Sequence, residues 1–278
     1  MKLSKILFFT GCAVFSSATL ADNFFGVELA HNTKCPVNWH QLEMVLKNAV
    51  AASGSATSNG GLDFNMWGTV VNVDGKVCAV AKTGSGLNDQ WLGSRIIAAQ
   101  KANTANAFSL NHGLALSTAN LWAATQPGGS LFGLQFSNPV DTKSAYQGNA
   151  KYFGTKRDPL KGKRIGGVNV FGGGLALYNE DGKMVGAVGV SGDTSCADHN
   201  VAWRVRDGLG LDFVPAGVGT PMDNIIYDVT VNGPTGLGVS ASGFGHVNCG
   251  NNEADQNSII TVACPPGDGI SDACQNLN

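Results

Sequence analysis

The sequence predicts an α+β domain in which an antiparallel sheet is built from β-hairpins and helices return across it. Three observations carry this. Asp74-Gly75 and Asp181-Gly182 each separate two strand-like apolar runs, and an Asp-Gly pair supplies the positive φ angles that a tight hairpin turn needs. Each hairpin is followed by a short Gly/Ser loop and then by apolar residues at helical spacing, and a further helical pattern precedes the first hairpin. Strands joined by two-residue turns pair antiparallel, because parallel pairing would require a long crossover.

The chain opens with Lys2 and Lys5, an apolar run from Ile6 to Phe15, and small residues before Ala21. That order predicts a signal peptide over residues 1–21, cleaved near Ala21. Its apolar run is too short to span a bilayer, and no later stretch is longer, so no membrane span is expected. Residues 22–214 then read as the main domain. Asn38 is placed to cap a helix whose apolar residues Leu42, Val45, Leu46, Ala49 and Val50 share one face. Residues 66–73 and 76–82 form the first hairpin. Asn88 or Asp89 is expected to cap a second helix running through Trp91, Leu92, Ile96, Ile97, Ala102, Ala105 and Phe108. Residues 137–166, rich in Lys, Asn, Gly and Asp, read as a surface insertion.

The second hairpin falls at 175–179 and 183–190, followed by a helix through Val201, Ala202, Val205 and Leu209 with a cap near Ser195 or Asp198. Asn72-Val-Asp-Gly-Lys76 lies over Asn179-Glu-Asp-Gly-Lys183 with a constant offset. Two origins account for this: the same favourable turn chemistry used twice, or a duplication. Residues 215–278 are dominated by Gly, Pro and Asn and read as an extension stapled onto the domain, with short strands expected at Ile225 to Val231 and Ile259 to Ala263.

The formal net charge is −2. Removing residues 1–21 takes two of the 18 basic residues and none of the 20 acidic ones, which leaves 16 against 20. This balance disfavours nucleic acid and anionic membranes as partners. Of seven cysteines, Cys12 leaves with the signal. Six remain, with no C-x-x-C pair, and an even number in an exported chain reads as a disulfide framework with 15 connectivities. Chain position favours Cys35 with Cys78, which pins the arm before the first helix to a strand. It also favours Cys196 with Cys249, which holds the extension down, and Cys264 with Cys274, a short local closure. No Asn after the signal begins an Asn-x-Ser/Thr triplet, so a bacterial periplasmic or secreted location is expected.

None of His31, His40, His112, His199 and His246 has the spacing of a zinc site. His112 and His199 lie at the ends of helices, where ligands are commonly met. Gly189-Val-Ser-Gly-Asp193 puts Ser191 at a strand-to-helix turn, but a nucleophile elbow needs glycine where Asp193 stands. The segment reads as a glycine-rich strand exit.

Two longer motifs are more specific. The run Ile96 to Ala105, with Lys101-Ala102-x-Thr104-Ala105 at its core, and the stretch Gly173 to Gly192 followed by Asp198-His-Asn-Val-Ala202, resemble the two signatures of the GlcG/HbpS-like family over roughly residues 40–212. The resemblance implies a profilin-like fold with a five-stranded antiparallel sheet flanked by helices, often assembled as a homo-oligomer. It further implies that an exported member binds haem as a carrier or as an accessory to a sensor partner. Haem, or a similar planar tetrapyrrole, is then the expected ligand and cofactor. The ligand contacts expected on this basis are Lys101, Thr104, His112, Ser191, Asp198 and His199, with His112 or His199 as the axial ligand of the haem iron, and no catalytic residue is assigned. The insertion at 137–166 and the extension after Phe213 depart from the compact family pattern, and either can cover a pocket. Two other classes stand beside this reading. One is an enzyme doing modest acid–base chemistry on a small carbonyl or hydroxy acid beside Ser191 and Asp198. The other is a redox-responsive module that binds a protein partner.

Overall fold

The computed structural model describes residues 34–51, 59–233 and 235–275. The expected signal peptide, with Cys12, and His31 lie outside the described residues. Helix α1 spans Trp39–Ala51. Its start is a reciprocal cap: the Asn38 side chain accepts from the Gln41 N–H at 3.1 Å and the Gln41 side chain accepts from the Asn38 N–H at 3.0 Å.

Four strands follow in two hairpins: β1 (Trp67–Asn72) with β2 (Val77–Lys82), and β3 (Gly174–Tyr178) with β4 (Met184–Ser191). They form one sheet in the order β2-β1-β4-β3, antiparallel throughout. Each hairpin presents its strands in the same order, so the second is the first translated across the sheet. The shared turn motif has a common mechanism. Asn72 Oδ1 accepts from the Lys76 N–H and Asn179 Oδ1 from the Lys183 N–H, both at 2.9 Å, while Gly75 and Gly182 take φ of 71° and 66°.

Helix α2 (Ser94–Ala107) packs on one face of the sheet, while α1 and α3 (Ser195–Gly208) pack on the other. The first face buries Trp67, Val71, Val80 and Ala187 against Ala98, Ala99 and Ala102. The second buries Val70, Leu175, Leu177, Val188 and Val190 against Leu42, Leu46, Val201 and Val205. Helix α2 rests directly on the strands because glycines lie beneath it. A Cβ at Gly189 would stand 2.0 Å from the Ala98 carbonyl oxygen, and one at Gly174 2.5 Å from that of Lys101. No side chain fits at that approach.

Among the described residues the sheet has four strands, and the expected fifth is not found there. The edge strand β3 finds other partners: the Gly174 N–H donates to Thr118 Oγ1 at 2.9 Å and the Tyr178 N–H to the Leu211 carbonyl at 2.9 Å. Helix α2 begins at Ser94, later than expected, because Asp89 serves the preceding loop by accepting from the Gly86 N–H at 2.6 Å. Helix α3 is capped by Thr194, whose hydroxyl accepts from the Ala197 N–H. Residues Ile259 to Ala263 are helical, the end of α4 (Glu253–Ala263). The short strand pair of the extension is β5 (Val229–Val231) with β6 (Gly238–Ser240). Among the described residues no helix is long and apolar enough to cross a membrane.

The segment 137–166 is more than a surface insertion. It buries Ala145, Leu160 and Ile165 in the α2-side core, and its Asp158 pairs with Arg95 of α2. The cysteines join Cys35 to Cys78, Cys196 to Cys249 and Cys264 to Cys274, with Cα separations of 5.5, 6.1 and 4.8 Å, all in the ordinary range for disulfides.

Candidate functional site

The two sequence motifs meet inside the molecule. Lys101 on α2 and Asp198 on α3 form an ion pair at 2.6 Å, with both side chains no more than 3 % exposed. Lys101 Nζ also donates to the Val190 carbonyl at 3.2 Å, and Asp198 Oδ1 accepts from the Asp193 N–H at 3.0 Å. Burial pushes the Asp198 carboxyl up to about 6 and the Lys101 amine down, and each group's opposite charge resists the shift of the other. Gly173 makes room for the pair, since a Cβ there would lie 3.0 Å from Lys101 Nζ and 2.9 Å from Asp198 Cβ. Thr104 is spent on structure as well: its hydroxyl donates to the Gln100 carbonyl and accepts from the Asn169 N–H. Ser191 is buried at the end of β4, paired in register with Trp67. Asp193, where an elbow would need glycine, accepts from the backbone N–H groups of Leu62, Phe64 and Thr194.

His199 is fully buried. Its Nε2 accepts from the Ile225 N–H at 3.1 Å and lies 3.1 Å from Asn224 Oδ1, so the ring ties α3 to the extension. Burial pushes its pKa down to about 3 and keeps it neutral. The same face of α3 continues the tether. Asn200 Oδ1 accepts from Asn257, and Arg206 holds Asp223 through two hydrogen bonds of 2.7 and 2.9 Å. His112 stands apart, exposed at the turn end of the sheet, with φ of 51° and its N–H donating to the Gly182 carbonyl. The structure therefore brings Lys101 and Asp198 together, with Thr104, Ser191 and His199 buried around neighbouring elements, and leaves His112 on the surface.

An open concavity lies at the other end of the sheet. It is a groove of about 720 Å³ between α1, the end of β2 and residues 151–157. Trp39 and Tyr152 supply aromatic walls, and Lys47, Lys82, Lys151, Lys156 and Arg157 supply positive charge against a single acid, Glu43. Trp39 Nε1 donates to the Gly154 carbonyl at 3.1 Å and joins the two sides. Arg157 and Lys151 lie against the Tyr152 ring at 4.4 and 4.9 Å from its centroid. Lys82 Nζ is held by the carbonyls of Gly84, Ser85 and Gly86, which curls the loop after β2 into the groove's rim. Sequence reasoning passed over these residues. The signal available was the run Lys151-Tyr-Phe-Gly-Thr-Lys-Arg157, basic and aromatic inside a segment otherwise poor in pattern.

A family model described as "Haem degrading protein HbpS-like" matches residues 41–206, which hold both motifs, the sheet, helix α2 and all but the first two residues of α1 and the last two of α3. The chain belongs to the HbpS-like family. Comparison with curated proteins returns no match. Solved structures similar to the chain include a PduOC–haem complex, at 24 % identity and a TM-score of 0.41 over 62 % of this chain and 94 % of that one. A Klebsiella pneumoniae protein, ORFY, aligns at 20 % identity and a TM-score of 0.41 over 62 % and 90 %. HbpS itself aligns at 15 % identity and a TM-score of 0.38 over 65 % and 94 %. Overlaps this low carry neither a ligand nor a site across to this HbpS-like chain. The HbpS-like match ends at Arg206, so the extension lies beyond it, whereas the groove's lysine-rich wall at residues 151–157 lies inside it.

Proposed function

We propose that the protein binds haem, or a planar tetrapyrrole of the same kind, as an exported carrier, and that the groove between α1, β2 and residues 151–157 holds it. Membership of the HbpS-like family motivates the ligand class. The observation that carries the site is the groove itself: aromatic side chains beside a cluster of cations on an open concave surface. Haem combines a flat apolar ring with two propionates, so it needs apolar or aromatic walls and cations placed together. Lys151, Lys156 and Arg157 would meet the propionates. Tyr152 is the lining residue of a type that serves as an axial ligand to haem iron. An open groove suits a carrier that must load and release. Export is supported by three disulfides, which persist in oxidising compartments.

A second placement has its own observation. His112 offers an exposed imidazole between Leu110 and Leu114, which are 62 % and 40 % exposed. Haemin titration followed by absorbance, on the wild type, Tyr152→Phe and His112→Ala, separates the two. The groove reading expects a Soret band whose position shifts in Tyr152→Phe and is unchanged in His112→Ala. A shift in His112→Ala alone moves the site to the turn end, and a wild type that ignores haemin removes the function.

A further inference from the structure

The C-terminal end of α3 carries a feature that haem binding does not use. Asp207 on α3, Asp212 just after it and Asp268 in the loop closed by Cys264–Cys274 each offer a carboxylate oxygen, and the three oxygens lie within 4.8 Å of one another. None of the three forms an ion pair among the described residues. Arg206 lies next to them but is committed to Asp223 through both terminal nitrogens. Asp212 is only 3 % exposed, and its buried Oδ1 has no hydrogen-bond partner. Its other oxygen accepts from the Gly267 N–H at 3.1 Å, so the carboxylate is turned toward the loop that carries Asp268. A buried carboxylate oxygen with nothing to bind is costly, and a cation is the partner that would satisfy it.

We propose that Asp207, Asp212 and Asp268 form a calcium site that clamps the disulfide loop onto the end of α3. Oxygen-only donors select hard cations over soft ones. Calcium takes oxygen ligands at 2.3–2.6 Å, so two ligands on one ion lie up to about 5 Å apart, the spread that this trio respects. Three carboxylates drawn from a helix end, a following segment and a loop make an irregular set, which calcium accepts and magnesium, with its octahedral demand, does not. Two of the ligands are already oriented. Asp207 accepts from the Ser271 N–H at 3.3 Å and from Gln275 Nε2 at 2.8 Å, in addition to the Gly267 contact to Asp212. The exposed Asp268 completes the set and leaves a side open for water. The affinity expected is that of extracellular calcium modules, about 10⁻⁴ to 10⁻³ M.

The test is calorimetric titration of calcium chloride into the mature, disulfide-intact protein, with thermal melting in calcium and in chelator. The expected result is saturable binding of one ion and a higher melting temperature in calcium. Asp268→Asn, a change at an exposed loop position, should weaken binding at least tenfold without altering the melting temperature in chelator. Absence of binding up to about 10 mM calcium, well above the range for such modules, would overturn the site. So would an unchanged affinity in Asp268→Asn, or an equal response to magnesium chloride.

Discussion

Single residues in this molecule divide into those that hold the fold and those that face solvent with chemistry to offer. Lys101 and Asp198 belong to the first group despite standing in the family motifs. Removing one partner of a buried ion pair leaves the other charge stranded, at a cost of about 3–5 kcal/mol. Lys101→Met should therefore lose stability of that order in urea unfolding. Asp198 and Lys101 were legible in the sequence as residues that matter, because the motif joins them, but their burial was not, since it depends on α2 and α3 lying on opposite faces of the sheet. His199 was marked for its place at a helix start, and the extension that covers it comes 25 residues later. The groove residues were missed because exposed lysines and aromatics carry no periodic signal.

Titration also belongs to this scale. His246 is buried beside Cys196–Cys249, its Nδ1–H donating to the Val247 carbonyl at 2.7 Å and its Nε2 3.3 Å from Ser195 Oγ. Burial pushes its pKa down to about 4. A histidine whose folded pKa lies below its unfolded value of about 6.5 stabilises fully above pH 6.5, and loses that stabilisation as pH falls toward 4. His246→Asn removes this contribution. Between pH 7 and pH 5 the wild type should thus lose about 2 kcal/mol more than the variant, read by urea unfolding at the two pH values. Equal losses would show that the ring is already charged in the folded state.

At the scale of elements, the glycines of the second motif set how closely helix and sheet approach. Gly189→Ala places a methyl group 2.0 Å from the Ala98 carbonyl oxygen, and α2 must lift from the strands. The expected cost is about 2–3 kcal/mol, and loss of the haem response in the same variant would follow from lost structure, which circular dichroism would report. Asn38→Ala, removing one half of the α1 cap, should cost about 1 kcal/mol. Hairpins, turns and this cap could be read from the sequence because their chemistry is local. The start of α2 could not, because Asp89 bonds to its own loop. The end of α4 was misread because Ile259, Ile260 and Val262 look like a strand. The helix buries Ile260 completely, yet leaves Ile259 42 % and Val262 81 % exposed, an arrangement set by docking on α3 and not by propensity.

At the largest scale, the described residues form a four-stranded core dressed by two additions. The segment 137–166 closes the α2 side through Arg95–Asp158 and supplies one wall of the groove, while the extension covers α3 through His199, Asn200 and Arg206. Both additions meet the core through scattered apolar residues, Leu160 and Ile165 in one and Ile225 and Ile260 in the other, set among polar contacts and without a periodic pattern, which is why composition alone described them as surface. The central claim is that the groove binds haem through its cations and Tyr152. The most direct measurement is the haemin dissociation constant of the wild type against a variant with Lys151, Lys156 and Arg157 all changed to Gln. Charge-assisted contacts of this kind contribute about 1.5–3 kcal/mol each where made. The account predicts stoichiometric binding by the wild type and at least tenfold weaker binding by the variant, with thermal stability preserved. Equal affinity in the two proteins would contradict it.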